Sequence, residues 1–204
     1  MSEIYALSND VLTPPQTIFS QIDEILRCGV KLVQYRSKLA AQDEALIRSL
    51  IGLCEDYGAK LIINDDAALA KRLGAHGVHI GKSDGETAQV REFLGADKII
   101  GVSCYAGLAR AQKAEAQGAS YVAFGSLRRG KTKPDAPLCP DALVQEARKS
   151  LNLPIAVIGG ISLENLNEIL ALKPDYIAMV EAIYRPASIT QNLANLKEKM
   201  DEYI

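Results

Sequence analysis

Short, almost wholly apolar runs alternate along the chain with longer stretches in which apolar residues recur every three or four positions. The short runs fall at residues 4–7, 32–35, 61–63, 77–80, 99–103, 121–124, 155–158 and 176–180. Runs of this length without polar alternation belong to strands covered on both faces, as in parallel sheets. They recur at roughly 17 to 34 residues, about the length of one strand-plus-helix unit. Between them the period becomes helical. In 44–57, Leu46, Ile47, Leu50, Ile51 and Cys54 fall on one face. The Ala-rich stretch 106–117 closes at Gly118, a C-terminal stop. Ser162 is expected to cap a helix beginning Leu163-Glu164-Asn165, and Asp66 to cap the helix after the third strand. The stretch 190–203 carries Leu193, Leu196 and Met200 on one stripe and is expected to be the last helix.

Eight such units in series predict an α/β fold, a (β/α)8 TIM barrel, as a single compact domain over 1–204. A doubly wound open sheet would need a Gly-rich loop after the first strand, and Ser8-Asn9-Asp10 offers none. No linker or low-complexity segment interrupts the pattern. Residues 135–140, rich in proline, are expected to form a long loop after the sixth strand.

Composition narrows the partners. A chain of 204 residues buries roughly 70% of its unfolded surface, enough for a substantial core. Net charge is -2, which disfavours a polyanion-binding surface, so no nucleic-acid partner is expected. No apolar run approaches the roughly 20 residues that span a bilayer, so no membrane partner is expected. The first seven residues lack the basic and apolar regions of a secretory leader. Cys28, Cys54, Cys104 and Cys139 match no zinc or redox spacing and read as free thiols in a reducing cytoplasm. A homo-oligomer stays open at this stage.

In a barrel of this kind function sits where the strands end. Strand two ends Gln34-Tyr35-Arg36-Ser37-Lys38, and alternation puts Gln34, Arg36 and Lys38 on one side. Two cations and an amide at a barrel mouth suit an anionic ligand, against the alternative of a surface ion-pair cluster. Strand three ends in Asn64-Asp65-Asp66, and Asp84 follows strand four. Asp65 and Asp84 therefore follow adjacent strands, where two carboxylates, phosphate oxygens and water would hold Mg²⁺. Helix capping is the competing reading of Asp84. His79, inside strand four, reads as structural, and His76 as a turn residue. Ser103 places a hydroxyl at the end of strand five. The one dense basic stretch, Arg128-Arg129-Gly130-Lys131-Thr132-Lys133, is an anion-binding loop or a solvated one. Gly159-Gly160 ends strand seven, where backbone amides of such barrels bind phosphate.

Taken in order, Val33-Gln34-Tyr35-Arg36-Ser37-Lys38, Ile63-Asn64-Asp65-Asp66, Gly77-Val78-His79-Ile80-Gly81, Asp84, Gly101-Val102-Ser103, Thr132-Lys133 and Ile158-Gly159-Gly160-Ile161 resemble the thiamin phosphate synthase family over nearly the whole chain. That family joins an aminopyrimidine methyl diphosphate to a thiazole ethyl phosphate and releases pyrophosphate. The resemblance implies a cytoplasmic, magnesium-dependent transferase acting on small phosphorylated substrates. It implies that Arg36, Lys38, Asn64 and Lys133 hold the diphosphate, with Arg36, Lys38 and Lys133 catalytic. Gln34 and Ser103 would lie beside the pyrimidine, and Asp65 and Asp84 would bind Mg²⁺. Gly130, Thr132, Gly159, Gly160, Val180 and Glu181 would face the thiazole phosphate. Two positions depart from the family pattern. Gly130 stands where a hydroxyl is usual, and Glu181 where a small serine is usual; Arg128, Arg129 or Lys131 would have to offset the Glu181 charge. A thiazole tautomerase-like isomerase and a non-catalytic phosphate-ligand barrel are the alternative readings.

Overall fold

The structure is a computed structural model that describes residues 2–130 and 137–203. Eight strands close into one parallel barrel in sequence order: β1 (Glu3–Leu7), β2 (Leu32–Tyr35), β3 (Lys60–Asn64), β4 (Gly77–Ile80), β5 (Ile99–Tyr105), β6 (Tyr121–Phe124), β7 (Ile155–Ile158) and β8 (Tyr176–Met179). Pairing of β1 with β8, Ile4 opposite Ile177 and Ala6 opposite Met179, completes the ring. The eight apolar runs are these eight strands.

Period two divides each strand between two cores. Ile4 and Ala6 of β1 pack outward under the helices, while Tyr5 and Leu7 point inward with Leu32, Ile62, Tyr121, Ala123, Ala156 and Ala178. A Cβ on Gly101 would lie 2.1 Å from the Tyr121 ring, so the missing side chain on β5 is the space that ring fills.

The helices α1 (Ile18–Arg27), α2 (Glu44–Asp56), α3 (Ala67–Leu73), α4 (Thr87–Leu94), α5 (Leu108–Ala116), α6 (Asp141–Ser150), α7 (Leu166–Leu170), α8 (Glu181–Tyr184) and α9 (Ile189–Glu202) fill the connections. Helix α1 buries Ile18, Ile22, Ile25 and Leu26, an i, i+4, i+7, i+8 stripe. Helix α9 buries the expected Leu193, Leu196 and Met200. Asp66 caps α3, accepting from the Leu69 amide at 2.7 Å, as expected.

The cap expected at Ser162 is not there. Helix α7 starts four residues later, at Leu166. Asn165 Oδ1 accepts the Ser162 amide at 3.0 Å and its Nδ2 donates to the Gly160 carbonyl at 2.8 Å. A side-chain amide that satisfies backbone groups on both sides closes a turn in place of the helix's first turn. The stretch 106–117 likewise begins its helix late, at Leu108.

Candidate active site

Three adjacent strands bring the charged rim residues together. Lys38, past the end of β2, places its Nζ 2.5 Å from Asp65 Oδ2, past the end of β3. Asp65 holds a left-handed backbone at φ 66, costly for a residue with a Cβ, and its amide donates to the His79 carbonyl on β4. That twist turns the carboxylate across the rim instead of down the next helix, leaving the capping role to Asp66. Asp84, after β4, accepts the Gly81 amide at 2.6 Å and the Ser83 hydroxyl at 3.1 Å. The residue preceding α4 is Glu86, so Asp84 does not cap that helix.

Asp65 and Asp84 follow the paired strands β3 and β4. Burial pushes Asp65 upward, but the Lys38 hydrogen bond and charge, the contact with Asp84 and the Arg36 charge outweigh it and hold the carboxyl below its usual range. Two facing acids repel unless a cation lies between them, and the Lys38 ammonium fills that role for Asp65. The donor set suits Mg²⁺ completed by phosphate oxygens and water. Among the described residues no group of three or more His, Cys, Asp or Glu side chains gathers to hold a metal by itself.

Below this rim the barrel interior is polar in one line. Gln34 Nε2 donates to Tyr5 Oη at 2.8 Å, Tyr5 Oη meets Tyr121 Oη at 2.8 Å, and Tyr121 Oη meets His79 Nδ1 at 2.8 Å. His79 Nε2 then meets Ser103 Oγ at 2.8 Å. The His79 ring stacks on Tyr121 with centroids 5.6 Å apart. Burial pushes the imidazole down to about 4, against a smaller upward pull from Asp65, so it is neutral near pH 7. Gln34 and Ser103, nominated separately from sequence, are thus the two ends of one chain. Tyr5 and Tyr121 were missed because an inward tyrosine in an apolar strand reads as core; their only signal is an inward register shared with Gln34 and His79.

The loops after β6 and β7 meet on the other side. A Cβ on Gly159 would lie 1.9 Å from Ser126 Oγ, and one on Gly160 would lie 2.7 Å from the Arg128 carbonyl. Gly130 approaches the Gly160 amide. The protein's own β6 loop therefore leaves no room for a side chain at Gly159 or Gly160. Glu181 opens α8, directly after Val180. Arg128 does not offset its charge: both terminal nitrogens grip Asp141 at 2.8 and 2.9 Å, and Nη2 also reaches Glu168 at 3.0 Å. Thr132, Lys133 and Lys131 lie outside the described residues. Cysteine chemistry is absent from the described site: burial pushes Cys54 and Cys104 up to about 12, and both pack in the core.

Residues 4–183 match the family model described as thiamine monophosphate synthase. The chain belongs to the thiamine monophosphate synthase family. It is 42% identical over 183 residues to the thiamine-phosphate synthase of Thioalkalivibrio sulfidiphilus, covering 89% of this chain and 87% of that one. It is 43% identical over 190 residues to the thiamine-phosphate synthase of Nitrosococcus oceani, covering 91% and 87%. The solved thiamine phosphate pyrophosphorylase of Pyrococcus furiosus superposes with a TM-score of 0.88 at 26% identity, covering 99% of this chain and 96% of that chain. In this family frame, the rim of β2, β3 and β4 is the cationic and acidic half of the mouth, and the glycine-rich loops of β6 and β7 are the opposite half. Among the described residues no helix is long and apolar enough to cross a membrane.

Proposed function

We propose that this protein is a cytoplasmic thiamin phosphate synthase that couples an aminopyrimidine methyl diphosphate to a thiazole ethyl phosphate and releases pyrophosphate. The observation that carries the reading is the Lys38–Asp65–Asp84 cluster at one rim, with Arg36 in its field, in a chain of this family.

The chemistry asks little proton transfer of the protein. The bond from the methylene carbon to the diphosphate oxygen breaks as an electron-rich pyrimidine stabilises the cation left behind. The thiazole nitrogen then forms the new carbon–nitrogen bond. Arg36, Lys38 and Lys133 would neutralise charge growing on the leaving pyrophosphate, and Asn64 would orient it. Asp65 and Asp84 would hold Mg²⁺, which when bound supplies further neutralisation of the pyrophosphate. Lys38 then exchanges its carboxylate partner for a phosphate oxygen. Gln34 and Ser103 would hold the pyrimidine. Gly130, Thr132, the Gly159–Gly160 amides, Val180 and Glu181 would border the thiazole phosphate, whose fixed approach replaces a random encounter. His79, neutral and bonded through both nitrogens, is not available as a general base.

Incubating the purified protein with both substrates and Mg²⁺, and following thiamin phosphate by chromatography, tests the reading. Mg²⁺-dependent product is expected. Isomerisation of the thiazole phosphate without coupling, or binding of both substrates without conversion, would overturn it.

A further inference from the structure

We propose that the chain Gln34–Tyr5–Tyr121–His79–Ser103 is a proton-ordered wire across the barrel, which fixes Gln34 as a hydrogen-bond acceptor and Ser103 as a donor toward the aminopyrimidine. The proposal rests on the reading of the protein as a pyrimidine-coupling synthase, and assigns Tyr5, Tyr121 and His79 as positioning residues for that ring.

The order follows from counting donors. Gln34 Nε2 can only donate, so Tyr5 Oη accepts from it and turns its single proton toward Tyr121. Tyr121 Oη accepts from Tyr5 and gives its own proton to His79 Nδ1. A neutral imidazole accepting at Nδ1 carries its proton on Nε2, which donates to Ser103 Oγ. Ser103 Oγ has then accepted once, and its own hydrogen is directed away from His79 toward the mouth. At the other end one N–H of the Gln34 amide is committed to Tyr5, and the amide oxygen, which can only accept, is its acceptor for a ligand.

The two ends are 69 residues apart in sequence (103 − 34 = 69) yet share one hydrogen-bond direction. Reversing the Tyr5–Tyr121 link would leave the buried Tyr5 proton without an acceptor and would reverse both links of His79, because each hydroxyl has one proton and the neutral ring has one. Charging the ring would place a second donor against Tyr121, whose proton already points that way. An aromatic ring bearing an amino group beside a ring nitrogen offers one donor and one acceptor, the complement of Gln34 Oε1 and Ser103 Oγ–H. A ring with an oxo group in place of the amino group presents the inverted pattern and meets acceptor with acceptor, a mismatch that hydrogen-bonding sites reject strongly. The fold enforces the geometry: Gly101 leaves the space in which the Tyr121 ring stands, and Tyr176 packs edge-on against both Tyr5 and Tyr121.

The chain has two histidines, so nitrogen NMR of protein labelled at histidine reads the wire directly, with His76→Gln assigning the signals. At neutral pH and without substrate, His79 is expected to show an unprotonated Nδ1 and a protonated Nε2. Tyr121→Phe keeps the ring but removes the link. It is expected to mix the two tautomers and raise KM for the pyrimidine diphosphate by at least ~10-fold, with KM for the thiazole phosphate nearly unchanged. If Tyr121→Phe does not fold, Tyr5→Phe, which removes the link to Gln34, is expected to mix the tautomers in the same way. A proton on Nδ1 in the parent protein, or an unaltered tautomer in the folded variant, would overturn the proposal. Because the tautomer is read without turnover, a missing coupling activity would sink the synthase reading alone and leave the proton order to its own spectrum.

Discussion

At the residue scale, His79 is a buried histidine whose charge the fold refuses. Its folded value of about 4 lies below the roughly 6.5 of an unfolded histidine. Between those values the unfolded chain binds a proton that the folded one does not. Stability is therefore complete above about pH 6.5 and falls as pH drops toward 4, by up to roughly 3 kcal/mol. His76, also held below its ordinary value by burial, acts with the same sign. Urea midpoints measured in steps from pH 7.5 to 4.5 are expected to decline, and His79→Gln to flatten the decline; a parent protein indifferent to pH over that range would contradict the burial of a neutral ring. Asp65, whose folded value is depressed, loses its contribution only at lower pH, as its carboxylate is protonated. At this scale the sequence exposed the rim charges well, because Arg36, Lys38, Asp65 and Asp84 follow apolar strands where charge is conspicuous. It hid the polar partners of His79, because Tyr5 and Tyr121 are equally at home as bulky filling of a core.

At the scale of the element, the strands were readable because burial on both faces leaves an unbroken apolar run. The bounds of β2, β4, β6 and β7 coincide with the runs themselves. The turn into α7 was misread for a local reason. Ser162 and Asn165 are both capping residue types three positions apart, and the longer amide side chain of Asn165 reaches two backbone groups where a serine hydroxyl reaches one. Asn165→Ala is accordingly expected to cost about 1–3 kcal/mol in urea unfolding, as it strands the Ser162 amide and the Gly160 carbonyl. Ser162→Ala is expected to cost less than about 0.5 kcal/mol. The reverse ranking would restore Ser162 as the cap. The glycine pair beside that turn follows β7, and Ser126 and Arg128 of the neighbouring loop exclude any bulk there.

At the scale of the whole molecule, a closed parallel barrel carries every strand end to one rim, so strand ends far apart in sequence share it without any local sequence signal joining them. Knowing the fold class was therefore enough to gather Arg36, Lys38, Asn64, Asp65, Asp84 and Ser103 on one side. The network beneath them needed coordinates, because its links depend on which hydroxyl meets which nitrogen, and partners such as Tyr5 and Tyr121 are 116 residues apart. The proposed thiazole half of the mouth would draw on Thr132 and Lys133, which lie outside the described residues, and on Glu181, whose charge Arg128 does not offset. The β2–β4 rim is proposed as a single charge-neutralising site for a leaving pyrophosphate. Steady-state turnover of Lys38→Ala and Asp65→Ala, each confirmed folded by circular dichroism, tests it most directly. Both variants are expected to fold like the parent and to lose at least ~100-fold in turnover; near-parental turnover in both would show that this rim does not act on the leaving pyrophosphate.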